Sequence, residues 1–191
     1  MPTIFLIVES KNDADVIQAI LTKRNLALTV YPLTPIGGSP NISRLAEQLE
    51  RLIATAKKLR QSGDCIAVLH DADIQTGRNE LEQKQIQTIC ERFKMDVAHM
   101  RAADELESWL LADAGICEWF GIRRKNWDEQ RQPSNTLEKY LKENARIRTG
   151  YDGKGRAAVL AHLAGNGDDH SPSMREASKM LTKPANKKDD D

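Results

Sequence analysis

Four stretches of the chain are apolar with little polar alternation. Residues 3–8 (TIFLIV) are the most β-branched of these. A run that is apolar on both faces predicts a central parallel strand covered by helices on both sides. Residues 26–33 (LALTVYPL) predict a second strand, with Pro32 marking its end or a sheet edge. Residues 65–69 (CIAVL), after the turn Ser62-Gly63-Asp64, predict a third, and residues 96–100 a weak fourth. Helical periodicity fills the gaps. Ser10, Asn12 and Asp13 offer N-caps for a helix reaching about Arg24. Ile42, Leu45, Leu49, Leu52, Ile53 and Ala56 form one stripe of a helix over 41–60. Another helix follows Thr76-Gly77 to about Phe93, and Asp104 is placed to cap one over 105–113, in a region that Gly121 closes. Residues 123–134 read as a polar loop, and helices are expected around 135–144 and 155–164. Ser171 and Pro172 suit the N-cap and first position of a last helix. Residues 183–191 (KPANKKDDD) carry no apolar residue beyond Ala185 and are expected to be disordered. The order β-α-β-α-β-α-β, with helices appended, predicts an α/β fold with a mostly parallel sheet flanked by helices and a helical C-terminal region.

Length changes this picture little: 191 residues suit one domain or one domain with an added subdomain. The expected division is an α/β core over 1–115, a helical extension over 116–182 packed on it, and a tail over 183–191. Lys+Arg and Asp+Glu balance at 28 each, so any anion-binding surface must be local. Cys65, Cys90 and Cys117 form no CxxC pair and no zinc spacing, which points to reduced thiols and a cytoplasmic protein. No apolar run approaches the roughly 20 residues of a membrane span. The N-terminus lacks the basic segment and cleavage site of a signal peptide.

In a parallel sheet, ligands gather beyond the carboxyl ends of the strands. Glu9 follows the first strand, and Asp71 and Asp73 follow the third. Side chains at i and i+2 of an extended segment point the same way, so Asp71 and Asp73 are expected to face one cation, joined by Glu9 if the two strands are neighbours. Carboxylates gathered without His or Cys favour Mg²⁺ or Mn²⁺. Gathered like charges repel unless a cation is present. Solvated loop acids and helix caps are the plain alternative.

Val8-Glu9-Ser10-Lys11-Asn12-Asp13 resembles the VEGKxD opening of TOPRIM domains, and Val68-Leu69-His70-Asp71-Ala72-Asp73 resembles their DxD motif. The resemblance covers about the first half of the chain and implies a TOPRIM, Rossmann-like sheet. Three further segments resemble OLD- and RloB-type nucleases and their small stand-alone relatives. They are Gly37-Gly38-Ser39-Pro40-Asn41-Ile42, the stretch from Glu105 to Asp113 (ELESWLLAD), and Lys154-Gly155-Arg156-Ala157-Ala158. Ser10 stands where most members have Gly, and Gln75 where topoisomerases carry a third acid, which argues against topoisomerase chemistry.

The resemblance implies further roles. Asp13 would help bind a metal, or else serves as a helix N-cap or first-turn acid. One of Glu105 and Glu107 would complete a second metal site, or both are exposed helix acids. Two metals about 3.5–4 Å apart would activate water and stabilise a leaving oxygen. Lys154, flanked by glycines, would stabilise transition-state charge, or is an ordinary solvated lysine. Arg123, Arg124, Lys125, Arg131, Arg146, Arg148 and Arg156 make the second half locally basic, which suits a phosphate backbone, although Asp128, Glu129, Glu138 and Glu143 interrupt it. His70 is expected to point away from Asp71, as a core or supporting histidine. Trp119 and Trp127 suit base stacking or burial.

The expected function is Mg²⁺-dependent nuclease action on DNA or RNA, with kinship suggesting defence against phage beside an ABC-type ATPase partner. A haloacid-dehalogenase phosphatase wants its DxD after the first strand, unlike this one. A non-catalytic TOPRIM subunit that binds a partner ATPase or nucleic acid remains the alternative from another class.

Overall fold

A computed structural model describes residues 1–73, 77–143, 150–151 and 153–182. Gln75, Arg146, Arg148 and the expected tail over 183–191 lie outside the described residues. The chain forms β1 (Thr3–Ile7), α1 (Lys11–Lys23), β2 (Thr29–Leu33), α2 (Ile42–Leu59), β3 (Cys65–Asp71), α3 (Glu80–Arg92) and β4 (Val97–Ala102). Five further helices follow: α4 (Glu107–Ala112), α5 (Ala114–Phe120), α6 (Pro133–Glu143), α7 (Gly153–Ala161) and α8 (Pro172–Thr182). Among the described residues, none of these helices is long and apolar enough to cross a membrane.

The four strands make one all-parallel sheet in the order β2-β1-β3-β4. This is the α/β, Rossmann-like architecture expected from the alternating elements. Strand alternation sorts the apolar residues onto two faces. Ile4, Leu6, Val8, Ala67, Leu69, Met100 and Ala102 meet α1, α4 and the C-terminal helices. Phe5, Ile7, Ile66, Val68 and Val97 meet α2 and α3. The helices after Pro133 share the first of these cores through Leu137, Leu141, Val159, Met174 and Leu181.

Several local expectations shift. Residues 26–28 stay outside β2, because Asn25 turns with φ +55° and the Leu26 N–H closes back on Leu21 O. Asp104 does not cap α4: it adopts φ +54°, and its carboxylate accepts the backbone N–H of Gln132 at 2.8 Å. The polar loop over 123–134 contains a 3-10 turn at Trp127–Glu129 that buries Trp127. Ser171 does cap α8, its hydroxyl accepting the Met174 N–H at 3.1 Å.

At the outer edge of β2, the Val30 N–H donates to Gln18 Oε1 at 2.8 Å, and Pro32 has no N–H to offer. At the opposite edge α8 packs along β4, where Ser173 Oγ accepts the Ala103 N–H. Cys65, Cys90 and Cys117 are free thiols, and burial pushes their pKa values up, to about 11, about 12 and about 11.

Candidate functional site

The chain runs outward from β1 to β2 on one side, then returns through α2 to β3 and on to β4. The direction reverses between β1 and β3. Such a switch point opens a crevice at the carboxyl ends of two neighbouring strands. Glu9 follows β1 at this crevice, and Asp71 ends β3 beside it. The backbone N–H of Asp71 stabilises the charged form of Glu9, so the two strand ends meet.

Asp71 is the centre of the acidic group. One of its oxygens, Oδ1, accepts the Leu106 N–H at 2.9 Å, which ties β3 to the loop entering α4. Its pKa is held well above the usual carboxylate range, first by burial and then by the charges of Glu107, Glu9, Asp13 and Glu105. Burial also leads in raising Glu9 to about 7, aided by the charges of Asp13 and Asp73. Glu107 is likewise raised to about 7 by burial, with Glu105 and Asp13 adding to it. All these carboxylates keep part of their surface open. Among the described residues, no three His, Cys, Asp or Glu side chains stand close enough together to hold an ion.

The individual acids have different attachments. Asp13 takes the helix-capping role. Its Oδ2 accepts the Ser10 N–H at 2.9 Å in a capping box, while its charge is felt by Glu9, Asp71 and Glu107. Ser10 supplies the N-cap hydroxyl of α1, a task glycine cannot perform. Glu105 Oε2 accepts the Ser134 N–H at 2.7 Å in the first turn of α6, so this acid has a structural tether. Glu107 faces the cluster instead. Asp73 departs from the expected extended geometry. It takes φ +45°, and its Oδ2 accepts from Asn79 Nδ2 at 2.8 Å. Its charge adds to those that raise Glu9.

Cations flank the row. Arg156, half-buried on α7, favours the ionised forms of Asp13 and Glu107, against the burial that raises both. Tyr151 lies beside the same acids; burial, then Glu107, raises its hydroxyl's pKa, and Arg156 opposes them. Lys154 is exposed two residues earlier on the same helix. Beyond β2, the Arg44 guanidinium lies over the diglycine loop. A Cβ on Gly38, at φ +65°, would stand 2.1 Å from Arg44 Nη2.

The remaining basic residues separate. Arg123 and Arg131 are exposed. Arg124 Nη2 donates to Asn166 O at 3.0 Å, and Lys125 Nζ lies 4.2 Å above the Trp127 ring. Trp127 is buried, and Trp119 stacks on both His162 and Phe120, which occupies its ring faces. His70 turns to the other face of the sheet. Its Nδ1 donates to Asp71 O at 2.8 Å, and its Nε2 stands 3.0 Å from His99 Nε2. Burial lowers both imidazoles, His99 to about 4.

One further carboxylate had no role assigned from sequence. Asp113, fully buried, accepts five backbone N–H groups, from Gly115, Ile116, Ala164, Gly165 and Asn166. It caps α5 and anchors the loop after α7. Its place directly before a short apolar helix was the available signal. Comparison of the chain with protein-family models, with curated proteins and with solved structures finds no match in any of the three.

Proposed function

We propose that this chain is a TOPRIM-type nuclease that hydrolyses phosphodiester bonds of DNA or RNA with Mg²⁺ or Mn²⁺. The observation that carries the proposal is the set of partly buried carboxylates at the sheet's switch point, each raised in pKa by burial, with neighbouring acids adding to it at Glu9, Asp71 and Glu107. A fold that needed only packing would fill this crevice with apolar groups. An all-oxygen donor set fits a hard divalent cation and not zinc or copper.

Glu9, Asp13, Asp71 and Glu107 would hold the cation, with Asp73 beside Glu9 and with Glu105 contributing charge from its tether on α6. A divalent cation supplies Lewis acidity, which stabilises charge at phosphorus and makes water more acidic. The chain's own groups do the rest. The Leu106 N–H fixes the rotamer of Asp71. The Ser10 N–H and hydroxyl fix Asp13 at the start of α1. Arg156 would bring positive charge to a phosphate in the crevice, and exposed Lys154 would have to fold its flexible stem back over α7 to add a second. Arg44, at the start of α2 over the diglycine loop, would offer a further phosphate contact. A role in defence beside an ABC-type ATPase rests on the sequence resemblance.

The test is direct. The pure chain is incubated with labelled single- and double-stranded DNA and RNA in Mg²⁺, Mn²⁺ or EDTA. Cleavage in the metal arms, absent in EDTA and from Asp71→Asn, is the expected result. Binding without cleavage in any arm would instead identify a non-catalytic subunit of the same fold.

A further inference from the structure

We propose that Asp104 is a positioning residue of the acidic site: its buried carboxylate, tied to the start of α6, holds the stretch 104–106 in the conformation that aims Asp71. The expected effect on cleavage rests on the nuclease reading above, whereas the hold on Asp71 does not.

Hydrogen bonds carry the inference. β3 and β4 pair Asp71 with Ala102, and the two segments stay bonded beyond the strands. The Ala72 N–H donates to Ala102 O at 2.9 Å, and the Asp73 N–H donates to Asp104 O at 3.3 Å. Two residues after Asp104, the Leu106 N–H donates to Asp71 Oδ1 at 2.9 Å. Both aspartates are thus bonded to the three residues that begin at Asp104. Asp73 is held through its backbone and Asp71 through its side chain.

Asp104 sets the bend from which these bonds are made. It is buried and adopts φ +54°, which costs an L-residue energy and persists only where the surroundings impose it. The constraint comes through its side chain, where Oδ2 accepts the Gln132 N–H at 2.8 Å. Gln132 directly precedes α6, and its carbonyl accepts the Asn135 N–H at 3.1 Å. Leu137 and Leu141, fully buried, fix α6 in the core. Glu105 repeats the tie one residue on, accepting the Ser134 N–H at 2.7 Å. Rigidity passes from a packed helix through the Asp104 carboxylate to the bend, and from the bend to Asp71. If residue 104 relaxed to negative φ, the chain after it would turn elsewhere and carry the Leu106 N–H off Asp71.

Three substitutions separate the carboxylate from the bend. Asparagine keeps an acceptor oxygen and tolerates positive φ, glycine keeps only the φ, and alanine keeps neither. Amide hydrogen exchange is followed by NMR on the full chain in EDTA. Asp104→Ala is expected to speed exchange at Leu106 and Asp73 roughly tenfold, about the worth of one hydrogen bond, while Leu6 in β1 keeps more of its protection. Asp104→Gly falls between, and Asp104→Asn stays near wild type. In Mg²⁺, kcat of Asp104→Ala falls about 10²-fold at unchanged KM, as for a slightly displaced reacting group, and Asp104→Asn restores it. Unchanged exchange at Leu106, or acceleration spread equally over Leu106, Asp73 and Leu6, overturns the assignment. So does Asp104→Asn behaving like Asp104→Ala. Where Asp104→Ala does not fold, Asp104→Gly takes its place against Asp104→Asn. If the wild-type chain cleaves nothing, the nuclease reading fails, and the exchange pattern alone decides on Asp104.

Discussion

Asp113 is fully buried and Asp71 half-buried, and their surroundings are opposites. Asp113 receives five backbone N–H groups from two segments. Asp71 receives one, from Leu106, and faces the charges of four other acids. A carboxylate ringed by donors is a structural bolt, because its charge is solvated by the backbone it holds together. A carboxylate crowded by like charges is held against its own preference, and strain of that kind concentrates at functional sites. The count of donors against like charges separates the two.

The largest expected effect lies on the structural side. Asp113→Ala leaves buried N–H groups at the start of α5 and in the loop after α7 without an acceptor. A loss of at least about 3 kcal/mol is expected in urea denaturation. Asp71→Asn should leave the metal-free protein as stable as wild type or more so. Similar losses in both variants would erase the contrast.

Next comes activity. Asp71→Asn should reduce metal-dependent cleavage by about 10²–10³-fold or more, with the fold intact by circular dichroism. Lys154→Met should lower kcat and kcat/KM together without changing metal affinity, as for a group that acts only in the transition state. Wild-type turnover by Lys154→Met would leave Arg156 as the cation that matters.

The two glutamates of α4 and its entry sharpen the comparison within one segment. Glu107→Gln should weaken Mn²⁺ binding strongly, as measured by calorimetry. Glu105→Gln should cost mainly about 1 kcal/mol of stability through the α6 cap. Reversed effects would mean that the tether at Ser134 is not the chief role of Glu105.

The smallest effect is a pH slope. Glu9 and Glu107 are raised from 4.5 to about 7, so the folded state holds their protons more tightly than the unfolded chain does. Their contribution to metal-free stability is complete below about pH 4.5 and is lost as pH rises through about 7. In EDTA the melting temperature should therefore climb as pH falls from 8 toward 5.5. Saturating Mg²⁺ favours the ionised acids and should flatten or reverse the slope. A flat profile in EDTA would show that the acids are better solvated than their setting implies.

Much of the fold was readable because β1 and β3 are continuous apolar runs and α2 carries a clean stripe. Strand order was not readable, and it alone makes Glu9 and Asp71 neighbours. Three departures share a cause. Asn25, Asp73 and Asp104 all adopt positive φ, which asparagine and aspartate tolerate better than most residues, and each redirects the chain beyond it. Sequence periodicity carries no sign of such turns. The same limit applies to Lys154 and Arg156. A glycine-flanked lysine attracts attention, but the facing of α7 is set by a contact with Gly150 that only three dimensions reveal.

The edges of the sheet bear on how this protein meets others. Val30 spends its outward N–H on Gln18, Pro32 has none, and α8 lies over β4. Exposed strand edges are templates onto which foreign strands add. Here the outward donors at Val30 and Pro32 are used or missing and α8 packs along β4, which disfavours sideways addition of a foreign strand. Under the proposed function, recognition would then fall to side chains around the rim of the strands, where a partner is chosen by charge and shape.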